Sequence, residues 1–196
     1  MKVFVEQQEY LTVEMFKDEG WEIVSEPSEA DLICFIGGAD VSPTLYNEAN
    51  TDSGNIENFD LSSVYLYQQG MLHFIPMVGI CRGGQFLNVM NGGKMIQHIS
   101  GHGLAGTHIV KLSSTINNFD GVSFEATSTH HQEMVPSDVV PIYIEGVAPD
   151  GVEEVILYDS DVLCFQPHPE YHNGLACRDV FFNLINVLMV DVSYEN

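Results

Sequence analysis

The stretch Met77-Val78-Gly79-Ile80-Cys81-Arg82-Gly83-Gly84-Gln85-Phe86-Leu87-Asn88 constrains this chain more than any other. It reads as a buried strand, a sharp turn carrying a cysteine, and the first turn of a helix. Gly79 and Gly83 stand two positions either side of Cys81, the G-x-C-x-G spacing of a nucleophile elbow. A nucleophile on a strained turn needs neighbours without side chains, because strand and helix crowd together there. The same turn puts the sulfur at a helix N-terminus, where the dipole and free N–H groups favour negative charge. The Arg82 N–H then points where an oxyanion would form. A lone cysteine in an apolar strand–helix junction also serves as a small core residue. The choice therefore rests on the remaining residues.

A thiolate nucleophile needs an imidazole to handle its proton and a carboxylate to orient that imidazole. Of eight histidines, His168 is best placed. It follows the apolar run Val162–Gln166, at the strand end where ligands bind in open α/β sheets. Pro169 disfavours helix at His168 and Pro167 fixes its own φ, so the segment is stiff and extended. Side chains two apart in such a segment face the same way, which aims His168 and Glu170 together. Histidine also binds metals. His98 and His102, and likewise His168 and His172, lie four apart, but Gly101 and Gly103 flank His102 and no H-E-x-x-H occurs. No catalytic metal and no cofactor are expected.

The rest of the chain alternates strands and helices. Strands are expected at Lys2–Val5, Trp21–Val24, Leu32–Ile36, Ile75–Ile80, His108–Leu112, Val139–Gly146, Glu153–Tyr158 and Val162–Gln166. Helices are expected at Glu9–Glu19, Leu61–Leu72, Gly83–Met90 and Leu175–Met189. Tyr46–Asn58 reads as an exposed acidic loop and Lys94–Ile99 as irregular. This order predicts an α/β fold with a mostly parallel central sheet flanked by helices, as one domain over residues 1–196. Gly37-Gly38, after the apolar run 32–36, lets the backbone come close to a ligand. Ser128-Thr129-His130-His131-Gln132 forms a polar cluster between strands.

Six basic against 28 acidic residues give a net charge of −22. That excludes nucleic acid and anionic membranes as direct partners. No apolar run approaches the ~20 residues of a membrane span, and the N-terminus goes straight into a strand pattern, so a cytoplasmic protein is expected. Cys34, Cys81, Cys164 and Cys177 show no disulfide spacing; Cys34 and Cys164 sit in apolar runs and are expected to be inert core thiols.

Gly79-Ile80-Cys81-Arg82-Gly83-Gly84-Gln85 and Gln166-Pro167-His168-Pro169-Glu170 resemble the two signatures of class I glutamine amidotransferases. Gly37-Gly38-Ala39-Asp40-Val41-Ser42-Pro43 with Tyr46 resembles the γ-glutamyl-γ-aminobutyrate hydrolase branch. So do Arg82, the His-His-Gln of residues 130–132, and Ala148-Pro149-Asp150-Gly151-Val152-Glu153. Gly84 stands where a larger apolar residue is common, and Pro167 where tryptophan is common. The resemblance implies a flavodoxin-like fold, a Cys81–His168–Glu170 triad and an oxyanion hole from the N–H groups of Gly38 and Arg82. It implies substrate contacts at Gly37, Gln85, His131 and Gln132. It also implies cleavage of a γ-glutamyl amide, glutamine included, through a Cys81 thioester. The ammonia would pass to a separate synthetase chain, or the enzyme would be a stand-alone γ-glutamyl hydrolase. A degenerate binding module would have broken triad positions, and all three are intact.

Overall fold

Short apolar runs alternate with amphipathic stretches through the first half of the chain and fold in turn. They give β1 (Lys2–Val5), α1 (Tyr10–Asp18), β2 (Glu22–Ile23), β3 (Leu32–Phe35), α2 (Glu57–His73), β4 (Met77–Ile80) and α3 (Arg82–Met90). Strands dominate the second half: β5 (Lys94–Ile96), β6 (Gly106–Ser114), β7 (Ser123–Ser128), β8 (Glu133–Val135), β9 (Ile142–Val147), β10 (Glu153–Tyr158) and β11 (Val162–Phe165), before α4 (Ala176–Asp191). The computed structural model describes residues 1–55, 57–103, 106–116, 119–159, 161–171 and 176–191. His172 lies outside them, as does Leu175, the expected first residue of the last helix.

Nine strands form one sheet in the order β2-β1-β3-β4-β11-β10-β9-β6-β7. The five from β2 to β11 are mutually parallel, and β10, β9, β6 and β7 extend them antiparallel. Parallel strands need cover on both faces, which their continuous apolar runs reflect. Alternate residues of β3 face opposite cores. Leu32 and Cys34 join Phe16 of α1 and Phe181, Leu184 and Ile185 of α4. Ile33 and Phe35 join Leu66 of α2 and Phe86 and Leu87 of α3. The architecture is a flavodoxin-like α/β fold, a central sheet with flanking helices.

Two local readings change. Lys94–Ile96 is a strand, paired antiparallel with Glu133–Val135 in a small second sheet. Tyr46 is buried, because the single 3₁₀ turn Pro43–Tyr46 folds its ring back into the core that holds Val41 and Phe35. Among the described residues, no helix is long and apolar enough to cross a membrane.

Candidate active site

Strands β4 and β11 pair in parallel with Ile80 opposite Phe165. Their C-terminal ends therefore deliver Cys81 and Gln166 side by side, and the Cys81 N–H closes the junction by donating to the Phe165 carbonyl at 2.8 Å. Cys81 has φ 51° and ψ −111°, a strained conformation that the surroundings must enforce. They do so by proximity. A Cβ on Gly79 would lie 2.2 Å from the Gly83 carbonyl carbon, and one on Gly83 would lie 2.4 Å from the Phe35 carbonyl oxygen. Only bare backbone lets α3 start this close to the sheet. Gly84 has a similar role: a Cβ there would come within 2.8 Å of the Phe165 nitrogen.

His168 follows three residues after β11. Its N–H donates to Thr127 Oγ1 at 2.7 Å, which pins the segment to the end of β7. Its Nδ1 lies 2.6 Å from Glu170 Oε1, and its ring stands beside Cys81. Burial opposes a charged imidazole here. The hydrogen bonds to Cys81 and Glu170, and their negative charge, outweigh it and push His168 up to about 10. The Tyr171 ring stacks on the imidazole, with centroids 4.2 Å apart and planes 3° from parallel. Cys81 and His168 are both buried.

Gly37 forms the facing wall. A Cβ there would meet His168 Cε1 at 2.9 Å and the Cys81 Cβ at 3.8 Å, so only backbone fits beside the pair. At Gly38 the Phe59 ring occupies the Cβ position. Gln85 Nε2 donates to Gln166 Oε1 at 3.0 Å, and Gln166 Nε2 donates to Cys81 Sγ at 3.4 Å. His131 Nε2 lies 3.2 Å from Asp40 Oδ1, and Gln132 Nε2 donates to the Gln97 carbonyl at 3.4 Å.

Behind the elbow, the Arg82 side chain is fully buried. It donates to Asp60 Oδ1 at 2.5 Å and to Ser63 Oγ at 2.6 Å, and its guanidinium lies 4.1 Å from the centroid of the Phe59 ring. Ser63 Oγ donates in turn to Glu6 Oε1 at 2.6 Å, and Glu6 Oε2 accepts from the Ile36 N–H. Burial raises the Glu6 carboxyl above its ordinary range. Sequence reasoning assigns Arg82 through its backbone alone and misses Gln166, Thr127, Tyr171 and this network. Gln166 opens the signature segment and Tyr171 follows it; the other partners lie far from it in sequence.

A parallel half-sheet with a cysteine elbow after β4 frames this site, and comparison with known proteins makes the chain a class I glutamine amidotransferase-like protein. Residues 22–170 match the Peptidase C26 family, and the chain belongs to it. Protein NtpR of Enterococcus hirae is 30% identical over 77% of this chain and 71% of its own length. YvdE of Lactococcus lactis, named as a candidate glutamine amidotransferase-like protein, is 29% identical over 61% of this chain and 52% of its own. The chain thus spans about half the length of YvdE. Among solved structures, a Thermoplasma acidophilum protein named as a candidate GMP synthase subunit shares the fold with a TM-score of 0.70. Its identity is 20%, over 100% of this chain and 97% of that one.

Proposed function

We propose that this chain cleaves a γ-glutamyl amide by nucleophilic catalysis, with Cys81, His168 and Glu170 as its triad. The carrying observation is that Cys81 and the His168 imidazole stand together against Gly37 while His168 Nδ1 lies 2.6 Å from Glu170 Oε1. The sulfur attacks the side-chain carbonyl carbon, and a C–S bond forms as the carbonyl becomes an oxyanion. The N–H groups of Arg82, at the start of α3, and of Gly38, next to the wall residue Gly37, receive that oxyanion. The C–N bond breaks, and His168 gives its proton to the leaving amine. Water then attacks the thioester with His168 as base, releasing glutamate and restoring the sulfur. Gly37, Gln85, His131 and Gln132 are the proposed contacts for the glutamyl group.

Two destinations for the amine fit this chemistry. With glutamine as substrate, ammonia would pass to a separate synthetase chain; the fold shared with a candidate GMP synthase subunit supports that reading. With an N-substituted γ-glutamyl amide, the enzyme would act alone, and membership of a peptidase family supports that.

The test is mass spectrometry of the intact protein after incubation with a glutamine-derived chloroketone, with Cys81→Ser beside it. One adduct on the native chain and none on Cys81→Ser are expected. Protection by free glutamine points to the synthetase-linked role, and protection only by a substituted γ-glutamyl amide points to the hydrolase. Full turnover of γ-glutamyl amides by Cys81→Ala would overturn the mechanism.

A further inference from the structure

A second cluster of ionisable groups lies around β10, two strands along the sheet from the one that carries the thiol, and the proposed reaction uses none of it. Glu154, at the start of β10, is completely buried. Its Oε1 lies 2.9 Å from His108 Nε2 on β6, 3.1 Å from His130 Nε2 and 3.3 Å from His102 Nδ1. The nitrogens His102 Nδ1 and His130 Nε2 are 3.2 Å apart. Three ring nitrogens thus crowd one carboxylate oxygen. The other oxygen, Glu154 Oε2, is buried with no hydrogen-bond partner among the described residues, and His108 Nε2 has no aligned one either.

The outer contacts fix which nitrogens carry hydrogen. His130 Nδ1 lies 2.8 Å from the Gln132 carbonyl oxygen, which can only accept, so Nδ1 holds the hydrogen. His102 Nε2 lies 2.9 Å from Asp150 Oδ2, another acceptor, so Nε2 holds that one. Each ring therefore turns its other nitrogen inward, toward the other ring and toward a carboxylate. A cation seated among these converging nitrogens and the carboxylate would satisfy all of them at once. Ligands held at 2.0–2.1 Å around a tetrahedral ion are about 3.3 Å apart, and His102, His108 and Glu154 each offer one atom within 4.8 Å of the others. Imidazoles whose far N–H groups rest on a carboxylate and a carbonyl have the outer partners typical of metal ligands. Imidazole nitrogens with one carboxylate oxygen suit zinc-type ions and not calcium or magnesium, which prefer oxygen alone. A groove of about 260 Å³, lined by His102, His108, Ser128 and Asp150, gives an entry path.

We propose that His102, His108 and Glu154 hold one divalent ion of the zinc type, beside His130 and separate from Cys81. The ion ties together strands that hold the imidazole of the proposed triad. Ser128 Oγ donates to the His102 carbonyl, the Gln166 N–H donates to the Glu154 carbonyl, and Thr127 holds the His168 N–H.

The experiment titrates the metal-stripped full chain with Co²⁺ alone, then displaces it with Zn²⁺. One equivalent of Co²⁺ should bind with the visible d–d bands of a four-coordinate site. The near-ultraviolet sulfur charge-transfer band should be absent, and the spectrum should be unchanged in Cys81→Ser. His102→Ala and His108→Ala should abolish it. Buried variants can misfold, so Asp150→Ala, whose side chain is 56% exposed, is the companion. It should fold normally and bind about 10–100-fold more weakly. Absence of stoichiometric Co²⁺ binding by the native chain would overturn the proposal. So would a sulfur band that disappears in Cys81→Ser, or an affinity untouched by Asp150→Ala and by both histidine variants.

Discussion

Gln85 Nε2 donates to Gln166 Oε1 at 3.0 Å, and that contact turns the Gln166 amide so that its own N–H faces the Cys81 sulfur. A residue of the elbow helix thereby aims a donor carried by the neighbouring strand. Gln85→Leu removes the guide and leaves Gln166 free to rotate. Losing one positioned hydrogen bond costs ~1 kcal/mol, so kcat should fall about fivefold to tenfold. If Gln85 instead holds the glutamyl group in substrate and transition state alike, KM rises and kcat stays. Steady-state kinetics on a γ-glutamyl amide separate the two.

In the proposed mechanism His168 is protonated to serve the leaving amine, so turnover should fall as pH rises through about 10. Glu170→Gln removes a negative charge that holds this proton; the alkaline limb should move to lower pH, with activity reduced but measurable. A pH–rate profile of both proteins checks this. The same proton stabilises the fold. The folded imidazole keeps it above 6.5, where an unfolded one releases it. The contribution is therefore complete below pH 6.5 and is lost as pH rises through about 10.

The four cysteines should differ sharply in reactivity. All are buried and free. Burial pushes the Cys34 and Cys164 thiols well above their ordinary range and Cys177 up to about 12. Iodoacetamide at neutral pH should therefore modify Cys81 alone in the folded protein, and all four after denaturation. Peptide mapping reads the sites directly; early labelling of Cys34 or Cys164 would contradict the core placement.

Arg82 and Asp60 form a buried ion pair, so removing one member strands the other. Arg82→Met should cost about 3–5 kcal/mol, a drop in melting temperature of roughly 6–20 °C. The double variant Arg82→Met/Asp60→Leu should recover part of that loss, because the uncompensated carboxylate is gone. Calorimetry of the three proteins tests the coupling.

What the sequence reveals is local. The elbow is spelled by glycines within four residues, and His168 and Glu170 are two apart on a proline-stiffened segment, so spacing alone aims them. The fold class follows from strands alternating with helices. The Arg82 network stays hidden because Glu6, Asp60 and Ser63 come from three other places in the chain and meet only when α2 lies on the sheet. The histidine cluster stays hidden for a similar reason. Along the chain His102 has His98 four residues away, a spacing that Gly101 and Gly103 deprive of a helix, whereas antiparallel pairing of β6, β7, β9 and β10 brings it to His108, His130 and Glu154. Tyr46 escapes a reading by polarity because one 3₁₀ turn reverses where its ring goes.

The sulfur and the imidazole hang from two neighbouring strands near the middle of a nine-strand sheet. Their separation is set by one ladder, Met77–Ile80 against Val162–Phe165, and not by what lies at either edge. Strands can be gained, shortened or exchanged along both margins while the reacting atoms stay in register. Such a layout lets a lineage remodel its periphery, for a new partner or a new leaving group, without renegotiating its chemistry.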